Sequence, residues 1–382
     1  MRSLRHRTVF ENPSRCPYVL PLSEALRAYH PDGTFPLAHN ADERKKATIM
    51  GMFVLRPSYE NWANSVSSVH DFISSMYDVK KWAYNFDGID GGWLISNKNE
   101  VDGFRLAMQY GVSDAVLVGT KSVSMEGCDH VVQSADGSEP SVMPGYAWLP
   151  YVLAEWPQLK KLDDQLAQKI QEQRVLWQQM GYLSSRKYPA QVLVTESGEH
   201  YDGCKDFLES RIFSMVHPEG DPVEVYIITS MIGAEKIRLR SSTYGLGDRI
   251  EGMLIVLSPI DAPQQIDYSA IPEVLYSRYG MKLVNHDGGQ AVLRKFCQEG
   301  LISQFNLTLM RQKSLHGTIE NSTLLLPDVS NKALESFDSN TRLFFTHPSG
   351  SIPRELEIMS LIEDDNEELI VATLSATSCQ DF

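Results

Sequence analysis

The segment Ile271–Leu309 reads IPEVLYSRYGMKLVNHDGGQAVLRKFCQEGLISQFNLTL, and its first half predicts a helix followed by a buried strand. Pro272 suits the first turn of a helix, and Gly280 suits the left-handed position just after one. The apolar run Met281–Val284 is long enough for a short buried strand. A helix that leads directly into a buried strand is typical of the repeating units of α/β proteins.

The second half of the segment predicts a turn, a helix and another strand. The turn is Asp287-Gly288-Gly289, the helical pattern closes at Gly300, and Phe305–Leu309 alternates apolar and polar residues as a strand does. A strand that feeds a Gly-Gly turn and a helix can bind phosphate, because glycine admits a ligand to the backbone and the first N–H groups of a helix are unpaired. Gly-Gly after a strand is also a common tight turn, so this segment alone leaves both interpretations open.

Other buried runs of Val, Ile and Leu, separated by helical or loop segments, indicate a largely parallel sheet. The chain ends differently: strand-like residues 356–362 and 369–374 flank an acidic turn and predict an antiparallel hairpin at the sheet edge. The predicted fold is α/β, a mostly parallel sheet with helices on both faces and a C-terminal antiparallel hairpin. The buried runs are residues 114–119, 190–195, 223–230 and 253–258.

Two segments depart from this regular order. Residues 1–75 are predicted to form an N-terminal extension packed on a main domain of residues 76–382, whose first strand is 79–88. Residues 125–188 are predicted to be an insertion that contains a long helix over 159–180. An apolar stripe on that helix indicates packing on the domain or on a partner subunit.

Composition excludes several classes of protein. The chain has 382 residues, 42% hydrophobic and 22% charged, with a net charge of −14, which argues against nucleic acid or an anionic membrane as the main partner. The 5 cysteines are scattered and lack CxxC spacing, as expected in a reducing, cytoplasmic compartment. No hydrolase signature, P-loop or Rossmann glycine motif is present. Cys128 and His130 lack a second pair at zinc spacing, so no metal site is predicted.

Four segments, in order, resemble the reductase domain of riboflavin biosynthesis, which has a dihydrofolate-reductase-like fold. The strand Ala83-Tyr-Asn-Phe-Asp-Gly88 resembles the family's A-x-S-L-D-G, and Ser113–Val123 resembles S-D-A-I-L-V-G-x-x-T-V. The strand, Gly-Gly turn and helix of Val284–Phe296 resemble the family's E-G-G element, and Gly300–Thr308 resembles G-L-V-D-E-L-x-L-T. The resemblance covers residues 76–124 and 189–375.

This resemblance implies a soluble NADPH-dependent reductase, commonly a homodimer, acting on a small molecule. It places the pyrophosphate against the Gly-Gly turn, at Asp287, Gly288, Gly289 and Gln290. Gly119, Ser122 (which replaces the family's Thr), Glu126 and Thr229 would line the same cleft, although Thr229 also suits a capped strand end. Asn85 and Asp87 would lie at the mouth of the first strand, with Asp87 positioning the substrate or supplying a proton, or simply forming an Asp-Gly turn.

The sequence departs from the family pattern on the expected substrate side. Asn85 and Phe86 replace the usual Ser-Leu, the acid-small-Pro element after Ser122 has lost its Pro, and the insertion follows it. These departures leave cofactor binding better supported than the riboflavin-pathway substrate. The resemblance implies a phosphoribosylaminopyrimidine as the leading substrate, with another imine, ketone or enone as the alternative. A non-catalytic binding or assembly relative of the fold is a third possibility.

Overall fold

The computed structural model describes residues 6–11, 41–55, 111–126, 166–200, 205–214, 216, 220–286, 292–293, 295–296, 299–310, 343–345, 354–364 and 369–376. The predicted strand 79–88, most of the predicted N-terminal extension and most of the predicted insertion lie outside these ranges. Structural statements below refer to the described ranges.

The described part contains strands and helices in alternation through its middle and strands at its end. The strands are β1 His6–Glu11, β2 Thr48–Leu55, β3 Ala115–Gly119, β4 Ala190–Thr195, β5 Val225–Thr229, β6 Leu254–Val256, β7 Leu283–His286, β8 Ile302–Met310, β9 Leu343–Phe345, β10 Arg354–Asp364 and β11 Leu369–Ala376. The helices are α1 Ala41–Arg44, α2 Thr120–Glu126, α3 Leu166–Gln179, α4 Met231–Ser241, α5 Arg249–Met253 and α6 Ile271–Tyr279.

The chain divides into two compact units, and the larger one comprises Asn40–Ile49 and Ala107–Leu301. Its sheet has the order β7-β3-β4-β5-β6, and every pair in it is parallel. Strands β3, β4 and β7 are buried at every residue, which explains their continuous runs of Val, Ile and Leu. The predicted mostly parallel α/β fold is confirmed, and β4 has the predicted bounds.

Helix α6 and strand β7 follow the prediction from the deciding segment, with one shift. Gly280 ends the helix at φ 65°. The N–H of Met281 still bonds to the carbonyl of Leu275 (2.9 Å), and that of Lys282 bonds to the Asp114 carboxylate (2.7 Å). Because these two residues close the helix and anchor the turn, β7 begins at Leu283 rather than at Met281.

Helix α3 lies within the predicted helix over 159–180, and its described packing differs in part from the predicted apolar stripe. Its buried face carries Arg174 and Trp177, whereas Met180, predicted to lie on the packing stripe, is 41% exposed. The prediction was wrong at Met180, because this end of the helix docks through the hydrogen bonds of Arg174 as well as through apolar contacts. Arg174 donates to the carbonyls of Gly111, Ser113 and Arg186.

The second unit comprises Met1–His39, Met50–Leu106 and Ile302–Phe382. Its long strands are antiparallel: β10 pairs with β1, β9 and β11, and β11 pairs with β8. Strands β1 and β2 come from residues 1–75, and this participation in sheets was not predicted. The run TIMGMFVL of β2 carries neither alternation nor turn signals, so its period does not distinguish a strand from other buried segments.

Candidate functional site

The carboxyl ends of four parallel strands lie at one edge of the larger unit. In register, Gly119 of β3 is opposite Val194 of β4, and Thr195 of β4 is opposite Thr229 of β5. Strand β7 ends at His286, which directly precedes the Gly-Gly turn in the chain. Loops that follow these strands therefore leave the sheet at the same edge.

The strand order reverses between β3 and β7. The chain advances from β3 through β4 and β5 to β6 in one direction, and then returns to place β7 on the opposite side of β3. Neighbouring strands whose connections diverge in this way leave a crevice beyond their carboxyl ends, where open α/β sheets bind ligands. The crevice lies beside Gly119 and His286, the ends of the two strands that carry family-like motifs.

A buried hydroxyl at this edge lacks a partner. Thr120 follows Gly119 directly and begins α2; it is 1% exposed, and its Oγ1 makes no hydrogen bond in the described part of the chain. Leaving a buried hydroxyl unpaired costs about 1–3 kcal/mol. A polar ligand in the crevice is one partner that would satisfy it.

His286, the last residue of β7, lies at the same edge with an uncharged side chain. It is fully buried, and its ring meets that of Phe296 edge to face, with centroids 5.0 Å apart. Burial lowers the pKa of His286 from 6.5 to about 3. The imidazole therefore stays neutral near pH 7 and contributes no positive charge for a phosphate.

The junction between β5 and α4 is closed by the protein itself. The first amides of α4 are occupied: Met231 N–H donates to Ser258 Oγ (2.8 Å), Ile232 N–H to the Pro263 carbonyl (3.1 Å) and Gly233 N–H to Ser230 Oγ (2.9 Å). These hydrogen bonds leave the start of this helix without spare donors for an anion.

Glycine packing completes that junction. A Cβ on Gly233 would overlap the Thr229 hydroxyl and lie 2.7 Å from the carbonyl oxygen of Glu196. Gly198, at φ +63°, packs directly on the backbone of Gly233. Thr229 is fully buried within this contact, and its Oγ1, like that of Thr120, makes no hydrogen bond in the described part of the chain.

The predicted site residues are distributed unevenly over the described structure. Gly119 and Thr229 lie at the carboxyl edge, two strands apart, and the backbones of Ser122 and Glu126 belong to α2. Thr120 and Glu196, which follow the ends of β3 and β4, were missed. Their signal was a polar residue directly after a buried strand. Asn85, Asp87, Asp287, Gly288, Gly289 and Gln290 lie outside the described residues.

Among the described helices, none has the length and apolar character needed to cross a bilayer. The described side chains also form no cluster of three or more His, Cys, Asp and Glu suited to a metal ion.

No protein-family model matches the chain, and no curated protein does. Solved structures similar to it include a pyrimidine reductase-like protein from Corynebacterium diphtheriae, with 14% identity over 89% of this chain and 96% of that one and a TM-score of 0.41. Acinetobacter baumannii RibD has 12% identity over 88% of this chain and 60% of that one, with a TM-score of 0.36. The Saccharomyces cerevisiae riboflavin biosynthesis reductase has 10% identity over 87% of this chain and 91% of that one, with a TM-score of 0.35. With every TM-score below 0.5, the case for function rests on the residues of this chain.

Proposed function

We propose that the chain is a nicotinamide-dependent reductase of the dihydrofolate-reductase-like fold, related to the reductases of riboflavin biosynthesis and using NADPH. The observation that carries the proposal is the reversal of strand order between β3 and β7. Two of the four segments that resemble that family, Ser113–Val123 and Val284–Phe296, contain these two strands. Topology and sequence thus point independently to one crevice.

The residues at the crevice fit a dinucleotide. Gly119 ends β3 without a side chain, so a ligand can approach the backbone there. The unpaired Oγ1 of Thr120 can bond to a phosphate or ribose oxygen. Gly288 and Gly289, directly after β7, would receive the pyrophosphate.

The proposed reaction is the reduction of a carbon–nitrogen or carbon–oxygen double bond. When bound, the dihydronicotinamide supplies a hydride from C4 and becomes oxidised. The electrophilic carbon accepts the hydride, and the neighbouring nitrogen or oxygen takes a proton, giving an amine or an alcohol. We assign Asp87 to proton supply or positioning and Asn85 to the substrate side of the same strand.

The leading substrate is a phosphoribosylaminopyrimidine, whose ribosylamine opens to an imine or sugar form and is reduced to a ribityl chain. Another imine, a ketone or an enone is the alternative, because the residues that differ from the family pattern lie at 85–93 and 122–157, on the substrate side. A homodimer is proposed with it, and sedimentation analysis of the full chain would test that state.

Calorimetric titration with NADPH tests the proposal. Saturable binding in the micromolar range supports it, and binding should be followed by assays of NADPH oxidation with the ribosylaminopyrimidine phosphate and with a panel of imines and ketones. Absence of binding of both NADPH and NADH at high micromolar concentration would reject the reductase. The altered Asn85-Phe86 motif would then favour a non-catalytic binding or assembly protein.

A further inference from the structure

We propose that Glu196 sets the coenzyme preference of this crevice, weakening the binding of NADPH and allowing NADH to bind at least as well. The inference rests on the proposed function, because it assumes that a dinucleotide occupies the β3–β7 crevice. It concerns a residue that the family resemblance does not assign.

Glu196 directly follows the strand that lies beside β3 in the sheet. Strand β3, its glycine-ended turn, α2 and β4 follow one another in the chain, and β4 lies beside β3 on the side away from β7. A dinucleotide whose pyrophosphate lies at such a crevice extends its adenosine over the end of the next strand. Here that strand is β4, and Glu196 is the residue directly after it.

The register between β3 and β4 places Glu196 relative to Gly119. Gly119 is opposite Val194 in register, so Glu196 lies two residues beyond the level of Gly119. Adjacent strands are about 4.8 Å apart, and two residues advance a strand by about 7 Å. Glu196 therefore lies on the adenosine side of a dinucleotide whose pyrophosphate spans the ends of β7 and β3.

The loop that carries Glu196 is held by hydrogen bonds and close packing. Ser230 Oγ donates to the Glu196 carbonyl (2.7 Å), and the N–H of Gly198 donates to Thr195 Oγ1 (3.1 Å). Gly198 is also pressed against Gly233. The backbone on both sides of Glu196 is therefore held, and its side chain extends from a rigid base.

The charge of Glu196 and the pairing of the cations near it determine how this edge receives a phosphate. The Glu196 side chain is partly exposed, and in the described part of the chain it takes part in no hydrogen bond or ion pair. Neighbouring cations on α4 are already paired: Lys236 with Glu199, and Arg240 with Asp206 (2.7 Å) and with the Gly198 carbonyl (2.8 Å). Neither is available to neutralise a 2′-phosphate without breaking an existing contact.

An acidic side chain at this position has opposite effects on the two coenzymes. Its oxygens accept hydrogen bonds from the ribose 2′-hydroxyl of NADH, whereas the 2′-phosphate of NADPH brings further negative charge close to it. Solvent and salt screen part of this repulsion at the exposed edge, so NADPH binding is weakened rather than abolished.

Calorimetric titration of NADH and NADPH into the full-length wild type, Glu196→Gln and Glu196→Ser would test this inference. Both variants should shift the ratio of the two Kd values toward NADPH by about tenfold, and the shift should shrink as salt screens the repulsion. Glu209→Gln, which removes an exposed charge from the same β4–β5 connection, should leave the ratio within about twofold.

The outcomes separate this inference from the proposed function. If the wild type binds a dinucleotide but both Glu196 variants keep its ratio, the inference is wrong and the reductase stands. An equal shift in Glu209→Gln would also overturn it, since the effect would then be net charge alone. If the wild type binds neither coenzyme, both proposals fail.

Discussion

The carboxylate of Asp114 accepts a hydrogen bond of 2.7 Å from the backbone N–H of Lys282, which joins the residue before β3 to the residue before β7. The same carboxylate accepts from the N–H and the hydroxyl of Ser184, and Arg174 lies 3.9 Å from it. One buried side chain thus fixes the starts of the two strands whose ends frame the crevice. The register at the candidate site is set from the opposite edge of the sheet.

Replacing Arg174 with Met should strongly destabilise the larger unit. Arg174 is 1% exposed, and burial lowers its pKa to about 10, with Asp114 acting in the opposite direction. Removing one partner of a buried pair leaves the other charge uncompensated, so the free energy of unfolding should fall by about 3–5 kcal/mol. Urea denaturation measures this change.

A double-mutant cycle identifies the cause. Asp114→Asn combined with Arg174→Met should cost clearly less than the sum of the single changes, since the uncompensated charge is gone. Val175→Ala, at an exposed position of the same helix, should alter stability by less than about 0.5 kcal/mol. Strict additivity in the cycle would show that Asp114 and Arg174 act independently.

Gly233→Ala should disrupt the contact between the start of α4 and the loop that follows β4. The new methyl would overlap Thr229 and lie 2.7 Å from the Glu196 carbonyl oxygen, so the Gly198 loop must move away. Overpacking of this kind costs about 1–3 kcal/mol, measurable as a lower Tm.

The matched control is Gly252→Ala in α5. There a Cβ would meet no atom within 4 Å, and alanine is the better helix former, so stability should stay equal or rise by up to about 1 kcal/mol. A similar loss of stability in both variants would contradict the packing argument for Gly233.

The sequence predicts the parallel strands well because fully buried strands consist mainly of apolar residues. Ala190–Thr195 is buried throughout, and its apolar run gives the strand bounds directly. Gly280 likewise predicts the end of α6, because the position requires a positive φ. Local composition suffices where local geometry or full burial decides the structure.

Long-range hydrogen bonds account for what the sequence did not predict. Arg174 looks like a solvent-facing residue of an amphipathic helix, yet it donates to backbone carbonyls more than 60 positions earlier in the chain, at Gly111 and Ser113. Thr229 looks like a cleft residue, but Gly233 and Ser230 enclose it through the fold of α4. Such contacts depend on which elements become neighbours, and residue type alone carries no sign of them.

Thr120→Val should show whether the Thr120 hydroxyl binds a ligand or stabilises the fold. Valine keeps the shape and removes an unpaired buried polar atom, so stability should be unchanged or rise by about 1 kcal/mol. If the hydroxyl bonds to the coenzyme, the Kd for NADPH should rise by about fivefold to tenfold. Thr243→Val, at an exposed threonine, serves as the control, and unchanged NADPH affinity in Thr120→Val would remove Thr120 from the site.

His286 should make the protein sensitive to acid. Its pKa is about 3 in the folded protein and 6.5 as the ordinary value, because burial disfavours the imidazolium. Below pH 6.5 the unfolded chain therefore binds a proton that the folded chain does not, and the free energy of unfolding falls as pH falls, by up to about 1.4 kcal/mol per pH unit. His286→Leu removes this titrating group. The free energy of unfolding, measured with urea between pH 6.5 and about pH 4, should therefore decline less steeply in the variant, by up to about 1.4 kcal/mol per pH unit. Equal slopes in the two proteins would show that another group is responsible for the acid dependence. A shallower slope in the variant would show that the His286 ring is uncharged near pH 7. Backbone amides would then be the partners for phosphate beside β7.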